Sequence, residues 1–234
     1  MPVIPKVHED YIPYIFSDDE LDSIFKSADN LILVYQQTNP YIALEFPVVI
    51  RLLYSCGLRI GETLKLKIID IDFDNGVLHM THTKGDKHRL VPMNSMMTDI
   101  IRSYCMAMGL MGKTEAWLFP SADRENPLSS RSIKHRFERI LKDNEISLQS
   151  RKRYERGPCL HCMRHVFAFK SFTKSEQSGR PLNDAVPYLS IYLGHDSLEE
   201  TSKYLKFSSE LYPEALESFG TFMEELLPEV DYEA

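Results

Sequence analysis

Over residues 66–92 the apolar residues of this 234-residue chain leave helical spacing for short strand-like runs, and afterwards they return to it. Ile69, Ile71 and Phe73 alternate with acids. Asp74-Asn75-Gly76 is a turn signal, and Val77-Leu78-His79-Met80 reads as a second strand. Lys84-Gly85-Asp86-Lys87 makes a second turn, and Arg89-Leu90-Val91-Pro92 a third strand. Short alternating runs separated by tight turns predict a three-stranded antiparallel meander. On either side the spacing is helical. Pro2, Pro5 and Pro13 mark an extended lead-in over residues 1–13. Ser17 with Glu20 forms a capping box ahead of Leu21, Ile24 and Phe25. Residues 41–55 are apolar and stop at Cys56-Gly57, where glycine suits a helix end, and a short helix is expected from Ile60 past Leu64. Beyond the meander everything reads as helix. Ser129 or Ser130 caps a helix with Ile133, Phe137, Ile140 and Leu141 inward and Arg131, Lys134, Arg136 and Arg139 outward. Helices are also predicted over roughly 161–173 and 184–193, the latter ending at Gly194. Ser197 with Glu200 opens a last helix, which carries Tyr204. The expected fold class is mainly α with a small three-stranded antiparallel β-sheet.

A hydrophobic content of 43% supports one good core, with or without a short extension. No apolar run is long enough to span a bilayer, and MPVIPKVHED lacks the layout of a signal peptide. Cys56, Cys105, Cys159 and Cys162 do not make a disulfide framework in a chain of this length. These features predict a reduced, cytoplasmic protein with no membrane partner. The net charge of −7 argues against nucleic acid, but its distribution does not. Residues 1–30 and 210–234 together carry −13, which leaves about +6 on residues 31–209. The stretch 131–156 holds nine Lys/Arg against four Asp/Glu. A basic middle between acidic ends fits a DNA footprint, and equally a solvated helix face with an acidic tail.

Six polar residues fit one reaction. Arg59 lies in Gly57-Leu58-Arg59-Ile60-Gly61-Glu62, at a glycine-flanked helix junction. Lys84 sits on the hairpin turn. His161 and Arg164 share a helix face at i and i+3. His195 follows Gly194, and Tyr204 lies nine residues on. All but His195 also have a plain structural reading: Arg59 paired with Glu62, Lys84 solubilising a turn, His161 and Arg164 as a surface patch, Tyr204 as packing. Together they suit attack of a tyrosine on a phosphodiester. Arg59 and Arg164 would hold the non-bridging oxygens as charge builds. His195 would add a hydrogen bond, and His161 would help remove the Tyr204 proton, which has a free pKa near 10. Lys84 would protonate the leaving 5′ oxygen. A phosphotyrosine intermediate conserves the bond energy, so rejoining needs no ATP. The run Cys159-Leu160-His161-Cys162-Met163-Arg164-His165 also has a zinc-like composition, but four ligands within seven residues are too close to surround one ion.

On the segments Gly57–Glu62, Lys84–Arg89, His161–His165 and Leu193-Gly194-His195 with Tyr204, in that order, the chain resembles the catalytic domain of the tyrosine recombinase (phage integrase) family. The resemblance covers roughly residues 14–210. It implies site-specific recombination through a 3′-phosphotyrosine on Tyr204, with Arg59, Lys84, His161, Arg164 and His195 in the roles above and no metal or cofactor. It also implies double-stranded DNA as substrate and self-association on DNA into a tetrameric synapse. Integration, excision, dimer resolution and movement of mobile elements all use such domains. Family members usually carry a helical DNA-binding domain ahead of the catalytic one; here about 13 residues precede the first helix, so a separate clamping domain or partner is expected. The interval from Arg164 to His195 is long for the family, and Lys174–Pro181 within it is expected as an exposed loop. Residues 211–234 place Leu216, Phe219, Phe222, Met223, Leu226 and Leu227 at helical spacing among glutamates, a helix or tail that docks on a neighbouring subunit or on its own domain. Three other readings stay open: a type IB topoisomerase-like enzyme, a non-catalytic DNA-binding regulator, and a zinc-binding module.

Overall fold

The computed structural model describes residues 13–31, 39–81, 88–147, 157–179, 182–195 and 201. The chain divides into two compact units, Met1–Val166 and Phe167–Ala234.

In the first unit α1 (Asp18–Asp29) starts at the expected capping box, with Ser17 Oγ accepting from the Glu20 N–H and the Glu20 carboxylate from the Ser17 N–H. Its buried residues Leu21, Ile24 and Ala28 recur at helical spacing. Helix α2 (Ile42–Cys56) is the central element, with nine of its fifteen residues buried, and is ended by Gly57 at φ +59°, a left-handed conformation that glycine adopts without strain. It packs against α1, α3 (Ile60–Thr63) and α4 (Ser95–Ala107). Helix α3 stops at Thr63 and does not run past Leu64; the Leu64 and Lys65 N–H groups close its last turn. Helix α5 (Ser130–Asp143) buries Ile133, Phe137, Ile140 and Leu141 and packs on α1, with Phe16 and Phe137 edge to face. Arg131, Lys134 and Arg139 are exposed, whereas Arg136 is half-buried and donates back to Ser132.

The meander forms as expected, with strand order β1-β2-β3 and antiparallel pairing throughout. β1 is Ile71–Asp72, β2 Val77–Met80 and β3 Arg89–Pro92. The first strand is shorter than the alternation predicts. Ile68–Asp70 is a 3-10 turn, because the Ile68 and Ile69 N–H groups bond to the carbonyls of Ala116 and Thr114. In the β1–β2 turn the Asp72 carboxylate takes the N–H groups of Asp74 and Asn75, and Gly76 has φ +64°. The second hairpin turn, with Lys84, lies outside the described residues.

Residues 108–129 are not helical, contrary to the expectation for everything beyond the sheet. Gly109 and Gly112 turn at φ +62° and +78°, and Pro120 and Pro127 pair across an irregular loop. This loop lays Leu118 and Phe119 into the core and joins the chain at Leu66 and Lys67.

Helix α6 (Cys162–Gln177) begins in the first unit and ends in the second. It extends past 173, so Lys174–Gln177 are its last turn and not loop; Gln177, Ser178 and Gly179 are exposed. In the second unit Ala168 and Phe172 pack against Val186, Leu189 and Leu193 of α7 (Leu182–Leu193), with Phe167 stacked on Tyr192. The Ser197–Glu200 cap, the Tyr204 helix and the 211–234 segment lie outside the described residues.

Candidate active site

The turn after α2 and the start of α6 meet through one side chain. Arg164 is 1% exposed, and its Nη1 donates to the Gly57 carbonyl at 2.7 Å. Gly57 can offer that carbonyl because its left-handed backbone turns the chain sharply out of α2. Two residues on, Arg59 precedes α3 in extended conformation and keeps 29% of its side chain exposed. The structure thus brings together two sequence-predicted arginine segments that lie about a hundred residues apart, within one unit.

Arg59 is held by Glu62, as its structural reading predicts. Its Nη1 lies 3.1 Å from Oε1, and its main-chain N–H donates to Oε2. Glu62 also holds a second arginine that the sequence reading placed only as a strand residue. Arg89 Nη2 sits 2.7 Å from Glu62 Oε2, with both side chains almost fully buried. Burial alone would raise the Glu62 pKa, but hydrogen bonds and charge from Arg89, then Arg59, hold it below the ordinary carboxylate value. Arg89 opens β3, at the root of the hairpin that carries Lys84. One buried carboxylate therefore fixes Arg59 to the base of that hairpin. The sequence signal for Arg89 lay in the strand alternation: it stands two residues before buried Val91, so the two share the inward face of β3.

His161 immediately precedes α6 and Arg164 stands in its first turn, and they differ in exposure: His161 is exposed and Arg164 is buried. The Arg164 N–H closes on the His161 carbonyl at 3.0 Å. His165, buried, meets the His161 ring edge to face at 4.7 Å between centroids. Among the described residues no three His, Cys, Asp or Glu side chains gather as a metal site.

His195 belongs to the second unit. Gly194, at φ +66°, ends α7, and the His195 N–H returns to the Ser190 carbonyl at 3.0 Å, a helix-end pattern that fixes the backbone of the residue after the glycine. Nδ1 of His195 lies 2.6 Å from Thr201 Oγ1. That contact anchors one ring nitrogen and sets the direction of the other. Lys84 and Tyr204 lie outside the described residues.

The phage integrase family matches residues 16–210, a stretch that contains all six candidate residues. The chain is 32% identical over 209 residues to a putative integrase/recombinase, y4rB, of Sinorhizobium fredii, covering 87% of this chain and 64% of that protein. It is 25% identical over 204 residues to the tyrosine recombinase XerC of Lacticaseibacillus casei, covering 85% of this chain and 60% of that protein. Among solved structures the XerA recombinase superposes with a TM-score of 0.60 at 22% identity, over 92% of this chain and 66% of its own. The XerH site-specific recombinase bound to a palindromic difH substrate superposes with a TM-score of 0.65 at 22% identity, over 87% of this chain and 52% of its own. The chain spans about half to two thirds of the length of these relatives. No described helix is long and apolar enough to cross a membrane. On this match the chain belongs to the phage integrase family.

Proposed function

We propose that the chain is the catalytic part of a site-specific DNA recombinase that breaks and rejoins double-stranded DNA through Tyr204. The observation that carries the proposal is the buried Arg164 guanidinium bound to the Gly57 carbonyl beside Arg59. The carbonyl orients the guanidinium, whose planar fork of donors matches the oxygens of an anionic phosphate.

The Tyr204 oxygen attacks the scissile phosphorus. A phosphotyrosine bond forms to the 3′ side, and the 5′ oxygen leaves. Arg59 and Arg164 stabilise the charge that builds on the non-bridging oxygens. His161, exposed in the turn that leads into α6, takes up the Tyr204 proton. His195 donates a hydrogen bond to the phosphate from the ring nitrogen that does not face Thr201. Lys84 supplies the proton to the leaving oxygen. Attack by a 5′ hydroxyl from a partner strand reverses these steps and restores a phosphodiester, which requires at least two such chains on one DNA assembly. Cationic donors supply the electrostatic stabilisation, so the reaction proceeds in EDTA. A separate DNA-clamping domain or partner completes the proposed assembly.

The test is a labelled suicide substrate, nicked beside the cleavage point and drawn from DNA flanking the gene. An SDS-resistant adduct formed in EDTA and mapped to Tyr204 by peptide mass supports the proposal. Tyr204→Phe should bind the same DNA and form no adduct; wild-type adduct yield from that variant sinks the assignment. Relaxation of supercoils by single subunits, with no strand exchange, points instead to a topoisomerase.

A further inference from the structure

The proposed reaction leaves two thiols unused, and they bracket His161. Cys159 is half-buried and Cys162 is 1% exposed. The chain turns between them, with the Cys162 N–H on the Cys159 carbonyl at 2.9 Å and the Cys159 N–H on Cys162 Sγ at 3.4 Å. This turn sets the two Sγ atoms 3.6 Å apart. A disulfide is about 2.05 Å long, so the sulfurs must close by roughly 1.5 Å. Rotation about the two side chains and a small adjustment of the turn achieve that. The thiols are unequal. Cys159 is the one within reach of solvent. The Cys162 thiol is pushed up by its hydrogen bond with Cys159 and then by burial, which marks it as the second thiol to react.

We propose that Cys159 and Cys162 are a dithiol–disulfide couple, oxidised by a low-molecular-weight disulfide such as oxidised glutathione, that switches the geometry of the turn carrying His161. Cys159 loses its proton, and the thiolate attacks one sulfur of the oxidant. A mixed disulfide forms and half of the oxidant leaves as a thiolate. Cys162 then loses its proton and attacks Cys159 Sγ, which closes the internal disulfide and expels the other half. Two electrons pass from the protein to the oxidant, and the two protons end on the two small thiols.

The consequence follows from what the turn supports. The carbonyls of Leu160 and His161 accept the N–H groups of Met163, Arg164 and His165. Drawing the sulfurs together tightens the turn under those bonds, and His161 sits within it. A displacement near 1 Å at a reacting group costs on the order of 100-fold in rate. The effect on DNA cleavage rests on the recombinase reading; the thiol chemistry does not.

The full chain is equilibrated in glutathione mixtures of rising oxidised share, acid-quenched, alkylated and analysed by peptide mass. The expected result is a two-electron transition to an internal 159–162 disulfide, with Cys56 and Cys105 still reduced. Persistence of both thiols in excess oxidised glutathione overturns the proposal, as does arrest at a glutathione adduct on Cys159. The His161 imidazole signal, followed by NMR, should move on oxidation and return with dithiothreitol; a signal that stays in place overturns the switch. Adduct formation on the suicide substrate should fall at least tenfold on oxidation and recover on reduction, and Cys159→Ser should be indifferent to both treatments. An oxidised protein as fast as the reduced one also overturns the switch. If the reduced protein forms no adduct on any substrate, the mass and NMR results alone decide the couple.

Discussion

Glu45 ties the fold to a measurable pH response. It lies on α2 with no exposed surface. The Asn39 amide donates to its Oε2 at 2.6 Å, while Asn39 Oδ1 takes the N–H of Tyr41 at the start of α2. Oε1 is buried with no hydrogen-bond partner among the described residues. Burial drives the carboxyl pKa up, and the Asn39 bond and the charges of Arg136 and Arg124 offset only part of the rise, so it moves from 4.5 to about 7. Between these values the folded protein keeps a proton that the unfolded chain has released. The contribution is therefore fully present below about pH 4.5 and is lost as pH rises through about 7. At about 1.36 kcal/mol per pKa unit the loss amounts to about 3 kcal/mol. Glu45→Gln removes the titration. Any fixed cost of seating the amide cancels when the difference from wild type is followed against pH. Urea unfolding is read by the fluorescence of Trp117, the single tryptophan. From about pH 4.5 to about pH 8 the variant should gain about 3 kcal/mol on wild type. A difference constant to within about 0.5 kcal/mol over that range refutes the reasoning.

Glu62→Gln should cost about 3 kcal/mol at neutral pH, because it leaves buried Arg89 without its counter-ion; urea unfolding checks it, and a loss below about 1 kcal/mol counts against a structural pair. Since the Glu62 pKa is depressed, that contribution should be complete above the ordinary carboxylate value and fade as pH falls through the lowered one. Gly57→Ala should cost about 1–2 kcal/mol from the left-handed backbone alone, read by the same unfolding curves. Arg164→Ala should slow single-turnover cleavage by about 100-fold or more, and an effect below about threefold removes Arg164 from the reaction. DNA affinity should fall steeply with salt if the basic stretch meets phosphates, whereas a flat dependence places that stretch elsewhere.

The sequence discloses those parts of the fold whose cause is local. The Ser17–Glu20 cap, the glycine stops at Gly57 and Gly194 and the Asp72–Gly76 turn each depend on a few neighbouring residues, and each stands where expected. What the sequence misplaces depends on distant partners. Ile69 alternates like a strand residue, yet its N–H is claimed by Thr114, and it ends 59% exposed. Residues 108–129 contain helix-compatible stretches, but their glycines and prolines break them and the chain packs irregularly across the core. The site follows the same rule. Arg59–Glu62 is an i, i+3 pair and was legible; Arg89–Glu62 and Arg164–Gly57 join residues far apart in sequence and were not.

In the proposed reaction a chain of net charge −7 must present cations to a phosphate, and these distant contacts are what orient them. Arg59, Arg89 and Glu62 form a trio of two guanidiniums on one carboxylate, so the trio itself retains one positive charge. Arg89, the more buried arginine, takes the closer contact at 2.7 Å, and Arg59 takes the looser one at 3.1 Å with part of its side chain exposed. The carboxylate thus orients Arg59. Arg164 is oriented in a different way, by a main-chain carbonyl that carries no net charge. Burial of a cation is costly in the resting protein, and that cost falls when an anion arrives. In the proposed reaction a bound phosphate offsets part of that cost, and more of it as charge builds in the transition state. The same accounting separates Arg164→Lys from Arg164→Ala. Lysine keeps the charge but loses the planar fork, so it should preserve DNA affinity while slowing cleavage, whereas alanine should weaken both.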